Sequence, residues 1–207
     1  MTAAEPRWRR LEPDARREQI LACAVRLFGE RPYAAVSTTD IAVEAGVARG
    51  LLNHYFGTKR DLYLEVVRRM VLLPDLDEAV ASTGPLRARV EASVDWFLDT
   101  VSAHGKTFVA VTGAEGVGTD PEIEQILAAA DDLAARKVLE TVGRPADHDD
   151  AGHRAVVRAY GGLVKAAVRE WARDETLTRG QVHLLLSQAL ITIVRDVLPG
   201  VAAKGDA

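Results

Sequence analysis

Cysteine is almost missing from this chain of 207 residues. Cys23 stands alone, so no disulfide can close within the chain, which fits a reducing compartment. Aromatic residues make up only 5%, while alanine, leucine, valine, arginine and glutamate abound, a mix that favours helices. Lysine is scarce too: five of the 26 basic residues are lysine and the rest are arginine, a bias that suggests a GC-rich bacterial genome. No glycine-rich phosphate loop, nucleophile elbow or CxxC pair occurs. "GAEGVG" at 113–118 does not follow a strand, so it is no dinucleotide fingerprint. No cofactor is expected. The opening stretch, MTAAEPRWRRLEPDARREQ, lacks the apolar segment of a signal peptide. No apolar run approaches the roughly 18 residues needed to span a bilayer. A cytoplasmic protein is the expectation.

Strand-like alternation, internal repeats and low-complexity segments are absent as well. What remains is helical periodicity. Ile20, Cys23, Ala24, Leu27 and Phe28 recur at helical spacing and predict a helix over 14–30, with Cys23 as core filler on its apolar face. Ser37 and Asp40 form a capping-box-like start to a short helix that stops at Gly46. Another short helix follows over 48–56, and Thr58 opens a fourth, to Leu73. Beyond Pro74, helices are expected near 85–103, 106–115, 121–142, 147–173 and 178–198. The chain reads as all-α. Its net charge of −4 is unevenly spread: residues 1–73 carry +3 and residues 74–207 carry −7. Opposite signs suggest different partners for the two parts. The expected division is a flexible basic arm over 1–13, with "RWRR" at 7–10, a first helical part with its connecting helix over 14–73, and a larger helical part over 74–207.

The two short helices carry the chemistry. In "TTDIAVEAGVARGLLNHYFG", residues 38–57, Ile41, Ala42 and Ala45 form one inner face, Val47 fills the turn, and Leu52 and Tyr55 face inward from the second helix. A small residue, a turn glycine and apolar positions at this spacing mark a helix-turn-helix. Its second helix enters the DNA major groove and its first crosses the backbone. Arg49, Gly50, Asn53 and His54 then face outward. Arginine bonds guanine and asparagine bonds adenine in bidentate fashion, and glycine allows close approach. Thr38, Thr39, Tyr55 and Lys59 are placed for phosphates, which fix register without reading sequence.

The segments "ILACAVRLFGERPY", "STTDIAVEAGVARGLLNHYF" and "TKRDLYLEVV" resemble, in that order, the N-terminal domain of the tetracycline-repressor (TetR) family, over about a quarter of the chain. The resemblance implies a homodimeric, ligand-responsive transcriptional regulator, usually a repressor, with an all-helical C-terminal domain. Two positions depart from the pattern. Ala48 replaces a frequent serine cap, and Asn53 replaces a tyrosine that commonly contacts phosphate, so Asn53 reads a base or contacts phosphate.

In the C-terminal part, Trp96, Phe97, Val101, His104 and Phe108 recur across two predicted helices, with Glu115 at a glycine-rich break and Trp171 on a later helix. They are expected to line a pocket for a small, mainly apolar effector with one polar handle. Ala159, Gly162 and Ala166 in "AVVRAYGGLVKAAVREW", and Leu186, Leu190, Ile193 and Val197 in "VHLLLSQALITIVRDVL", are the expected dimer face, the partner nucleic acid being a palindromic double-stranded operator. "DHDDAGH" at 147–153 collects metal-ligand residue types, Asp147, His148, Asp149, Asp150 and His153. Two rival functions remain. One is a metal-dependent helical hydrolase built on that cluster; the other is a helical protein-interaction module. The preferred reading of the cluster is a helix start, with acids in a first turn, and neither a metal site nor an enzyme is expected.

Overall fold

A computed structural model describes residues 12–72, 83–113, 120–144 and 151–205. Its order is α1 (Pro13–Glu30), a 3-10 turn (Tyr33–Ala35), α2 (Thr38–Glu44), α3 (Arg49–Phe56), α4 (Lys59–Val71), α5 (Leu86–Ser102), α6 (Gly105–Thr112), α7 (Pro121–Thr141), α8 (Ala151–Ala172), α9 (Arg179–Thr192), a π turn (Ile193–Val197) and α10 (Leu198–Gly205). No strand occurs among the described residues. The all-α expectation stands. Residues 1–11 of the arm expected over 1–13, Glu115 and 147–150 lie outside the described residues, while Glu12 and Pro13 already form the start of α1.

Helices α1 to α4 start and stop where local chemistry directs. Ser37 and Asp40 form a reciprocal capping box at α2, and Thr58 and Asp61 form another at α4. The end of α2 is a Schellman motif: Val47 N–H donates to the Ala42 carbonyl at 2.9 Å and Gly46 N–H to that of Val43 at 3.0 Å. That geometry needs the positive φ of 62° at Gly46. Ile20, Ile41, Leu52, Leu62, Val66 and Val67 are fully buried beneath these helices. Each such side chain contributes roughly 1.5–3 kcal/mol of transfer free energy.

This core is not confined to the first four helices. Val111 of α6 and Ile123 of α7 belong to it. Helix α6 presses on α1 so closely that a Cβ at Gly29 would fall 2.3 Å from Thr107 Oγ1. The Thr107 hydroxyl donates to the Val25 carbonyl at 2.9 Å in a buried hydrogen bond. A second tie joins α4 to the start of α7. Arg60 donates to both Asp120 carboxylate oxygens, at 2.7 and 2.9 Å, and to Glu122 at 2.9 Å, and Arg68 reaches Glu122 at 3.0 Å. A separate core packs Val90, Val94 and Leu98 of α5 against Val182, Leu186 and Leu190 of α9.

One sequence expectation is corrected. The helical run Arg179–Val201, 23 residues long, is apolar enough by length and composition to cross a membrane, and 28% of its most apolar window is buried. Arg179, His183, Arg195 and Asp196 punctuate it, so its unbroken apolar stretches stay short.

Hydrogen bonds from Arg60 pull the Asp120 pKa down from 3.8 to about 2. A carboxylate whose pKa is depressed in the folded state stabilises that state above its unfolded pKa and loses the contribution as pH falls through the folded one. The acid loss attributable to this tie therefore falls between about pH 4 and pH 2. Urea unfolding of Arg60→Ala should show a deficit against wild type at neutral pH that narrows across this window.

Candidate nucleic-acid interface

Helix α3 is held from behind. Leu52 and Phe56 are buried, and the Arg17 guanidinium lies 4.9 Å above the Phe56 ring while pairing with Glu65 at 2.9 Å. Gln19 donates to the Ala45 carbonyl at 3.0 Å, and Arg26 pairs with Glu44, so α1 straps α2 at two points. Arg49, Gly50, Asn53 and His54 are all exposed on one side of α3, the side expected from the sequence. Thr39 is exposed; Thr38 and Tyr55 are half-buried, Tyr55 in edge contact with His54 at 5.5 Å. Ala48 caps α3 with no side-chain hydrogen bond, as the loss of the usual serine implies. The first amides of α3 are thereby left for solvent or an anion.

Lys59 is placed differently from a free cation. Its ammonium donates to the Tyr33 carbonyl at 2.5 Å and sits 4.1 Å from the centre of the Tyr33 ring. Burial there lowers its pKa. Tyr33 in turn packs edge-on against Tyr63 at 4.8 Å, so Lys59 pins the 3-10 turn to α4. Residue spacing carries no sign of this contact, because the partners are 26 positions apart. Sequence reasoning also missed Val43, 76% exposed on α2.

The expected effector residues fall into two places. Trp96, Phe97 and Phe108 line a cavity of about 190 Å³ among α5, α6, α7, α8 and α9, which also touches Val71 at the end of α4. Phe97 and Phe108 meet edge to face at 5.9 Å. Its charged lining is paired: Lys165 with Asp131 at 2.7 Å and Arg158 with Asp132 at 3.4 Å. Val101 is buried behind it against Val168. His104 and Trp171 do not line this cavity. They border a groove between α1, α6 and α8. His104 therefore does not supply the polar handle expected of the cavity; Lys165 and Arg158 line it instead.

The expected dimer face also divides. Ala159, Gly162 and Ala166 are exposed along α8. Leu186 and Leu190 are 1% and 3% exposed, because they face α5 inside the same chain. They are corrected to core residues. The outward apolar positions of this run are Leu184, Leu185 and Val197, at 60%, 39% and 39%, and Ile193 is half-buried. His153 is buried, its Nε2 donating to the Leu198 carbonyl at 2.9 Å. Among the described residues no three His, Cys, Asp or Glu side chains cluster as metal ligands.

Comparison with known proteins is consistent along the chain. Residues 20–66 match the model for bacterial regulatory proteins of the tetR family, and residues 86–193 match that for the tetracyclin repressor-like C-terminal domain. The HTH-type transcriptional activator FasR of Mycolicibacterium smegmatis is 30% identical over 174 residues, covering 82% of this chain and 78% of FasR. A tetR-family transcriptional regulator from Streptomyces coelicolor superposes with a TM-score of 0.75 at 24% identity, over 93% of this chain and 87% of that one. The transcriptional regulator FadR of Bacillus subtilis, solved in complex with stearoyl-CoA, superposes with a TM-score of 0.66 at 18% identity, over 86% and 97%.

Gly50 yields a prediction of opposite effects. A Cβ there would meet nothing within 4 Å, so the fold does not require glycine. Glycine in a helix costs up to about 1 kcal/mol relative to alanine. Gly50→Ala should raise the thermal midpoint slightly yet weaken binding to the cognate DNA several-fold in gel retardation. Unchanged affinity would remove Gly50 from the contact surface.

Proposed function

The chain belongs to the tetR family of bacterial regulatory proteins and is a DNA-binding transcriptional regulator, and from this premise we propose that it acts as a dimeric cytoplasmic repressor released by an apolar effector with an anionic head. The single observation that carries the effector reading is the cavity lined by Phe97 and Phe108. It is largely apolar, it holds Lys165 and Arg158 as partners for an acid, and it touches α4 and α6 at once. An acyl chain matches the chemistry of its apolar lining, and a long one requires the cavity to widen from about 190 Å³. A carboxylate or phosphate would replace Asp131 on Lys165. The stearoyl-CoA held by the FadR of Bacillus subtilis supports this ligand class. Release requires that the ligand bind the DNA-incompetent conformer more tightly, since equal affinity for both states shifts nothing.

In this proposal Arg49, Asn53 and His54 lie toward the groove, Gly50 lets the helix approach, Thr38, Thr39 and Tyr55 lie toward the phosphates, and Lys59 fixes the turn at Tyr33 behind them. The division at 73/74 is the proposed boundary between reading and regulatory parts. Two copies join through α8 and α9, with Gly162 and Ala166 beside Leu184, Leu185 and Val197. Their recognition helices then sit about 34 Å apart, one turn of a palindromic operator.

DNA selected from a random library supplies the operator for the tests. Stearoyl-CoA should release it from the wild-type protein, and Phe108→Ala should shift the required concentration. Tighter binding instead of release would overturn the repressor reading; no response to any acyl-CoA would overturn the ligand class. Arg49→Ala and Asn53→Ala should each lose about 1–3 kcal/mol at the operator and relax base preference. Lys59→Ala, which frees the Tyr33 turn from α4, should lower the thermal midpoint as well as operator affinity. If both Arg49→Ala and Asn53→Ala bind the operator as wild type does, the assigned reading face is wrong.

Self-association gives an independent test. Leu185→Glu, on the outward side of α9, should yield monomers in sedimentation and lower operator affinity. A wild-type chain that sediments as a monomer at tens of micromolar would remove the dimer.

A further inference from the structure

The groove that took His104 and Trp171 from the expected pocket has a volume of about 580 Å³. Its walls come from both parts of the molecule: Cys23 and Arg26 on α1, His104 and Lys106 at the start of α6, and Trp171 on α8. Two contacts hold these walls in place. Gly29 lies against Thr107, and a Cβ at Gly105 would fall 2.6 Å from that of Ala172, so α6 begins clamped between α1 and α8. The groove is thus preformed by backbone contact.

Its chemistry is mixed. Trp171 is half-buried and offers an indole to a flat partner. Lys106 is exposed and has no ion pair among the described residues, while Arg26 is held by Glu44. With Arg26 balanced by Glu44, Lys106 and Glu30 are the remaining charges of the lining, and His104 adds a ring with two nitrogens. A half-buried indole, an ammonium with no ion pair among the described residues and hydrogen-bonding nitrogens together suit a planar aromatic monoanion. We infer that this groove is a second small-molecule site, for an aromatic carboxylate or sulfonate, whose occupant bridges α1 of the DNA-reading part to α6 and α8. The inference does not depend on an effector in the Phe97–Phe108 cavity.

Cys23, the sole thiol, reports on occupancy from inside the groove. In the full-length protein, saturating 8-anilinonaphthalene-1-sulfonate should slow alkylation of Cys23 by N-ethylmaleimide about five-fold or more, because thiol reactivity follows access. Lys106→Glu, at an exposed position, should cut that protection to less than about two-fold at the same probe concentration, through lost charge pairing. Trp171→Leu should weaken it as well. Gly161→Leu, which narrows the other cavity, should leave it intact; Ala134→Leu serves if that variant melts early. An unchanged alkylation rate in wild type overturns the site. So does protection undiminished in both Lys106→Glu and Trp171→Leu, or protection lost when the other cavity is narrowed.

Discussion

The contact on which the molecule turns is the one between α1 and α6. A threonine hydroxyl reaches the Val25 carbonyl across a glycine, 82 residues apart in sequence. Packing this close leaves no room for the two helices to slide independently, since interiors at crystal-like density transmit displacement. The reading helices also lack a closed core of their own, because Val111 and Ile123 complete it from α6 and α7. A ligand that moves α6 by an ångström must therefore either strain this core or carry α1 with it. The bidentate Arg60–Asp120 pair gives α4 a second handle on the regulatory part.

Two glycines in the reading head serve opposite ends. Gly46 is required by the fold, since its positive φ closes the Schellman motif that sets α2 against α3. Gly50 is not, as open space surrounds it. Its neighbours Arg49, Asn53 and His54 are exposed as it is, so it belongs to the outward face of α3. The same logic separates Lys59 from Arg49: Lys59 is already held by Tyr33, and Arg49 lies exposed with no ion pair among the described residues.

The reading head was legible in the sequence because its signals are local. Capping boxes span three residues, the turn glycine acts through its own φ, and the inner faces repeat at helical spacing. The regulatory part was less legible where geometry is non-local. The stripe from Phe97 to His104 runs straight on into Phe108 as a sequence, but the helix breaks between Ser102 and Gly105. The break redirects α6, so Phe97 and Phe108 meet across the cavity while His104 turns to the far side. No spacing rule predicts that redirection. The Arg60–Asp120 and Thr107–Val25 ties, 60 and 82 residues apart, were beyond reach for the same reason.

Helix α9 shows why its face was misassigned. An amphipathic helix announces its buried side, but this one is apolar on two sides. Val182, Leu186 and Leu190 satisfy α5, while Leu184, Leu185 and Val197 remain outward. Val182, Leu186 and Leu190 repeat every four residues, a stripe that serves a partner chain or this chain's own α5 equally well, so periodicity alone does not choose between them. Length and composition also admit a bilayer. The details argue against that solvent: Gln181 and His183 sit among the leucines, and Arg195 and Asp196 project from the π turn. Lipid would leave such groups unpaired at considerable cost. A second protein surface, with room for the exposed Gly162 and Ala166 of α8 to take in neighbouring side chains, accommodates leucines and polar groups together. An apolar outer face beside a small-residue helix is thus better matched by a partner helix than by lipid.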